Sequence, residues 1–212
     1  MLSRFTASAR TIRAKLAQSG FTMIELLIVI AILGILAVAV LSAINPIEQI
    51  NRGRDTGSRT DSEQLLTAID RFNAFQGYYP WQTGQADVDD LGIIWTAPAF
   101  DGSQVDDNDC FIHEKLSAVA DSPAGCTGTD ELKQTFFTRV LGTTANPLYL
   151  YNRGTQGDST YVCFLPKSKA FLTEALARCG DANGAGLPED LSGAATQVCG
   201  NYLTESALIC LP

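Results

Sequence analysis

Hydrophobic and polar positions divide the chain sharply. Residues 21–44 (FTMIELLIVIAILGILAVAVLSAI) hold only Thr22, Glu25 and Ser42 as polar side chains. A helix of that length rises about 1.5 Å per residue and reaches roughly 36 Å, enough to cross a hydrocarbon core of about 30 Å with some tilt. Pro46 removes a backbone donor and pushes Asn45 away from helical backbone, which predicts a kink or break at the outer membrane face. Beyond it a second helical pattern begins. Ile47 and Ile50 open an apolar face that Leu65, Leu66, Ile69, Phe72 and Phe75 continue at spacings of three and four. Residues 51–64 lack a large hydrophobe and contain Gly53 and Gly57, so that stretch is expected to be exposed and pliable. Glu48 with Arg52, and Asp55 with Arg59, are favourable pairs one turn apart. Gly77 and Tyr78-Tyr79-Pro80-Trp81 should end the helix.

The rest of the chain reads as short elements. Residues 82–110 form a Gly, Asp and Thr rich connection with one apolar island, Leu91 to Trp95. Helices are expected at 111–120 and at 130–141, the latter starting near Thr129-Asp130 and closed by Gly142. Leu148–Tyr151 and Thr160–Leu165 have strand composition and flank a turn-rich run, so they predict a hairpin. Ser168–Cys179 reads as helix with Gly180 after it, and 207–211 as a last strand. The fold class that follows is α+β, a long N-terminal helix packed on a small antiparallel sheet.

Charge is segregated as well. Arg4, Arg10, Arg13 and Lys15 precede the apolar run with no acid among them, and the remainder holds all 23 acids against 11 bases. The positive-inside rule puts the N-terminus in the cytoplasm and the acidic part outside. A general nucleic-acid-binding surface is not expected, because phosphate binding needs a basic footprint. All six cysteines (Cys110, Cys126, Cys163, Cys179, Cys199, Cys210) lie in the second half, and an even count beyond a hydrophobic segment reads as disulfides in an oxidising compartment. Sequential pairing, 110 with 126, 163 with 179 and 199 with 210, closes the shortest local loops. A zinc site is disfavoured, since there is no Cys-x-x-Cys and His113 is the single histidine.

Glu25 is the residue that the apolar run does not explain. A carboxylate near the bilayer centre costs roughly 2.5 to 3.5 kcal/mol, so it normally has a partner or a task. No Lys or Arg lies between Lys15 and Arg52. Cutting the chain after Gly20 would create an α-amino group on Phe21, and in an assembly of staggered parallel helices that amine could meet Glu25 of a neighbour. A cleaved secretory signal, ending at Ala37-Val38-Ala39 or Leu41-Ser42-Ala43, fits poorly because the run exceeds the usual h-region.

At these residues the sequence resembles a known family. Lys15 through Ala37, above all Gly20-Phe21-Thr22-Met23-Ile24-Glu25-Leu26-Leu27-Ile28-Val29-Ile30, looks like the type IV prepilin signature shared by pilins and type II secretion pseudopilins. The resemblance implies that prepilin peptidase cuts between Gly20 and Phe21 and N-methylates Phe21, and that Glu25 guides docking onto a growing filament. It also implies that Gly34 is a helix-weakening glycine. The family's proline, absent at Ser42, appears at Pro46. Thr60 to Pro80 is similar to the helix end of major pseudopilins, and the Cys199 to Cys210 loop resembles the C-terminal disulfide-bounded loop of many pilins. The domains expected are a cytoplasmic leader (1–20, removed), an N-terminal helix (21–76, with 21–44 in the membrane) and an extracytoplasmic head (77–212). Identical or related subunits and an inner-membrane assembly platform are the implied partners, first in the plasma membrane and then in a pilus or pseudopilus.

Other chemistry is thin. Seven aspartates and no Lys or Arg lie between Arg71 and Lys115. Asp106, Asp107 and Asp109 offer an oxygen-rich loop that Ca²⁺ could occupy, as it does in some pseudopilins, but a solvated acidic loop is the plainer reading. Asp181-Ala182-Asn183-Gly184 opens like an EF-hand loop, yet Ser192 stands where the last ligand belongs. No cofactor is otherwise expected. Without Gly-x-Ser-x-Gly or a phosphate-binding loop, no enzyme class is supported. The competing reading is a membrane-tethered binding module that does not polymerise. Polymerisation needs Glu25, whereas a simple tether would be indifferent to it.

Overall fold

The computed structural model describes residues 20–87, 92–96, 110–117, 126, 128–141, 147–155, 157–181, 183–200 and 207–212, and the chain falls into two units, 1–45 and 46–212. The first contains helix α1 (Met23–Ala43), whose side chains are all exposed. Helix α1 runs unbroken through Gly34 and stops where Ile44 turns extended, and Pro46 opens the next helix. Proline at a first helical position loses no bond, because that N–H has no helical acceptor.

The second unit is built on helix α2 (Pro46–Gln76) and a four-stranded antiparallel sheet in sequence order, β1 (Ile93–Thr96), β2 (Leu148–Asn152), β3 (Tyr161–Phe164) and β4 (Ile209–Leu211). Leu150 lies opposite Val162, and Phe164 opposite both Leu148 and Ile209. Leu65, Ile69 and Phe72 of α2 join these residues in one core. The hairpin between β2 and β3 is held by Asn152, whose Oδ1 accepts from Gly154 N–H at 2.7 Å, and by a two-bond Arg153–Asp158 pair. Gly154 and Gly157, at φ 83° and 94°, supply the left-handed backbone of this turn. Short helices complete the unit: α3 (Ile112–Leu116), α4 (Gln134–Leu141), α5 (Lys169–Cys179) and α6 (Ala195–Cys199).

Several expectations change. The third helix is shorter than 111–120 within its described part, and the fourth begins at Gln134 rather than near Asp130. Residues 51–64 are mostly exposed, as expected, but α2 is continuous there and buries Asp55, Ser58 and Ser62. Asp55, fully buried, does not pair with Arg59. Its carboxylate accepts from Lys167 N–H (2.9 Å), Ser168 N–H (2.7 Å) and Ser168 Oγ–H (2.6 Å), while Arg59 reaches Glu174 at 2.5 Å. Two turns nearer the start of α2, Glu48 keeps its pair with Arg52 and also accepts from Lys169 N–H at 3.2 Å. The start of α5 is therefore gripped by two acids of α2 spaced seven apart. Small polar residues take the place of hydrophobes where the partner is backbone. Phe75, expected on the buried face, is 80 % exposed.

Disulfide pairing also departs from the sequential scheme. Cys110–Cys126 forms as expected, but Cys163 bonds Cys210 and Cys179 bonds Cys199. Cys163 and Cys210 face each other across β3 and β4, so strand register brings them together. Lengthening a loop from 11 to about 47 residues costs only about 1.3 kcal/mol of closure entropy, so strand pairing outweighs the preference for short loops.

Candidate functional site

The site is the entry to α1. Thr22 is its N-cap, with φ −75° and ψ 151°. The Thr22 hydroxyl accepts from Glu25 N–H at 3.3 Å, and Glu25 Oε2 accepts from Thr22 N–H at 2.9 Å and from Thr22 Oγ–H at 2.8 Å. This reciprocal capping box satisfies orphan donors of the first turn and gives the carboxylate two partners within its own chain. The signal for it in the sequence is Thr-x-x-Glu ahead of an apolar run, and it gives Glu25 a partner inside the chain where the sequence reading sought one only in a neighbour. Thr22 N–H is still present after a cut before Phe21, so processing would leave the box intact.

Gly20 and Phe21 stand exposed ahead of this cap, Phe21 at 89 %. A Cβ added at Gly20 would meet nothing within 4 Å among the described residues. Among the described residues nothing packs on Gly20 closely enough to require glycine there. Behind the cap, α1 reaches a mean hydropathy of 3.1, long and apolar enough to cross a membrane. A fully exposed apolar helix needs lipid or other helices around it.

Residues 15–41 match the prokaryotic N-terminal methylation motif. The chain carries the prepilin-type signature. That signature belongs to structural, pilin-type proteins and is not one of an enzyme family. It is consistent with handling by prepilin peptidase and with anchoring of α1 in a membrane. No curated protein and no solved structure matches the chain. The prepilin-type signature covers Gly20, Phe21, Glu25 and Gly34 but stops before Pro46.

The remaining candidates separate from this site. Asp106, Asp107 and Asp109 lie outside the described residues. Asp181 Oδ1 accepts from Asn183 N–H at 2.8 Å and Ala185 N–H at 3.1 Å, closing a tight turn. Among the described residues no three His, Cys, Asp or Glu side chains gather. His113 sits in α3 against the rings of Phe111 and Phe137, where burial lowers its pKa.

Proposed function

We propose that the protein is a filament subunit of the type IV pilin or pseudopilin kind, made as a membrane-anchored precursor. Prepilin peptidase cuts between Gly20 and Phe21 and methylates the new amine, and an inner-membrane platform then draws subunits into a polymer through residues 21 to about 50. The observation that carries this reading is a lone carboxylate, Glu25, at the head of a wholly exposed apolar helix inside the methylation motif. In the stored precursor Thr22 holds Glu25; in the polymer the Phe21 amine of a neighbour does. The head, with its cystines, faces the oxidising side.

N-terminal mass spectrometry of membrane-extracted protein tests the processing, with N-methylated Phe21 expected as the first residue. Recovery of Met1 or Val40 as the terminus would reject it. Glu25→Val removes a polar cost from the span, so insertion should persist while filament yield is lost. Normal yield from that variant would instead favour a tethered module that does not polymerise.

A further inference from the structure

Bases are scarce in residues 46–212, and they are not spread evenly. The first turns of α2 and the chain it clasps, residues 46–59 and 165–178, hold six bases (Arg52, Arg54, Arg59, Lys167, Lys169 and Arg178) against three acids, Glu48, Asp55 and Glu174. The rest of 46–212 holds five bases against nineteen acids. All three acids of the basic region are already engaged. Asp55 is fully buried against the α5 backbone, Glu48 serves Arg52 and Lys169 N–H, and Glu174 is shared by Arg59 and Arg178. Arg54, Lys167 and Lys169 are exposed, and among the described residues no carboxylate pairs with their charged groups.

This basic region adjoins the span along the chain. Helix α1 stops at Ala43 and α2 starts at Pro46, and three residues of chain reach at most about 11 Å. Lys169 N–H bonds Glu48, and the Lys167 carbonyl accepts from Asn51 Nδ2–H at 3.2 Å, so both lysines lie level with the first two turns of α2. On α2 itself, Ile47 and Ile50 are exposed and share one face with Arg54 at spacings of three and four. Apolar and basic side chains on one exposed helix face suit a water–lipid boundary, where stems lie among the headgroups and charges reach phosphates. Insertion does not account for these bases. The positive-inside rule counts Lys and Arg within about 15 to 20 residues of a span and disfavours them on the outer side, yet Arg52 and Arg54 fall inside that window beyond Ala43.

We propose that the basic region formed by the starts of α2 and α5 docks on anionic phospholipid headgroups of the membrane that α1 crosses. Two observations single out lipid as the occupant. The charge is complementary, and the span delivers a phosphate layer to within reach of these side chains without any further encounter. A base near an anionic surface strengthens binding about fivefold, so Arg54, Lys167 and Lys169 together give roughly a hundredfold. The acidic remainder of the unit is repelled by the same surface, which gives the contact one orientation. The contact rests on reading α1 as a membrane span, and it adds a lipid preference that lies outside the methylation motif. It favours the stored subunit over one drawn out of the bilayer.

Full-length protein carrying the photo-crosslinker benzoylphenylalanine at position 170, an exposed site in the first turn of α5, tests this in bilayer discs. Discs of phosphatidylcholine alone are compared with discs of equal parts phosphatidylcholine and phosphatidylglycerol, and lipid adducts at position 170 are quantified by mass spectrometry. A probe there reports on α5, not on lipid held by α1 or by the leader bases. With phosphatidylglycerol present, adducts should rise about tenfold or more, and the gain should vanish in about 1 M NaCl, where the screening length is about 3 Å. Arg54→Gln combined with Lys167→Gln and Lys169→Gln should abolish the gain, while Arg54→Lys with Lys167→Arg and Lys169→Arg should keep it. None of the three side chains belongs to the core, so melting temperatures should not move. Should a substitution disturb folding, the salt series on the unsubstituted chain still decides. Equal adducts in both kinds of disc, a gain that survives the neutral triple variant, or adducts confined to a second copy would each overturn the contact. Failure of the chain to embed in discs would sink the membrane reading and this contact together. Embedded protein without lipid adducts at 170 would sink the contact alone.

Discussion

Asp55 shows how one residue can replace a hydrophobic contact. Its carboxylate accepts from two backbone donors and one hydroxyl at the start of α5, of which the Ser168 N–H and hydroxyl would otherwise be buried without acceptors. Asp55→Ala should destabilise residues 46–212 by about 2 to 4 kcal/mol, since a hydrogen bond to a charged group is worth about 1.5 to 3 and the stranded donors add to the loss. For a domain of this size that is a fall of roughly 4 to 16 °C in Tm, readable by thermal melts. A loss under 1 °C would mean that water replaces the carboxylate. Two other acids carry a pH dependence. The Arg153 hydrogen bonds hold the Asp158 pKa below its ordinary value, and the Lys169 N–H does the same for Glu48. A depressed folded pKa contributes stability that is present above the unfolded value and is lost as pH falls through the folded one. Acid titration should therefore loosen the β2–β3 turn and the α5 start below about pH 4. Burial raises the pKa of Asp61 and Asp70, which opposes part of that loss. Replacing Asp158 with Asn should flatten the acid limb of a melt-against-pH series, and an unchanged limb would remove this pair from the account. Sequence alone placed Asp55 beside Arg59 because helical spacing is all it displays. The partner that decided the matter lies more than a hundred residues away, in a backbone whose position no local pattern reveals.

At the scale of elements, what repeats locally was legible and what depends on register was not. The apolar run of α1, the stop at Gly77, the hairpin around residues 152–160 and helix α5 all follow from periodicity or turn chemistry in one window of sequence. The Thr22–Glu25 box was equally local. Cystine pairing was not, because it depends on which strand lies beside β3. With the pairs now assigned, Cys163→Ser and Cys210→Ser should each cost about 2 to 5 kcal/mol, and the double variant little more than either. Cys199→Ser should couple in the same way to Cys179→Ser, while Cys199→Ser and Cys210→Ser should combine additively. Thermal melts of these variants, expressed from residue 46 in an oxidising compartment, decide it. Non-additivity between 199 and 210 would restore the sequential scheme.

For the whole molecule, the two units divide the labour. The first contains an exposed apolar helix with a single carboxylate capped at its head, and the second contains the sheet, its packed core and the cystines. The architecture class was readable from the sequence, since a long helix ending in Gly-Tyr-Tyr-Pro before short strands leaves few alternatives. The clasp of Glu48 and Asp55 on the start of α5 was not, because its two sides lie more than a hundred residues apart and meet only after folding. The Cys163–Cys210 bridge also has a mechanical side. It closes the chain between two cysteines 47 positions apart into a covalent ring, and Cys179–Cys199 lies within that ring. Pulling on residues 46 and 212 would load β3 and β4 across the bridge and leave the enclosed chain slack. At about 3.4 Å per residue, roughly 160 Å of contour length is withheld from extension. Under such a load the β3–β4 pair at the sheet's edge would stay clasped until a reductant arrives.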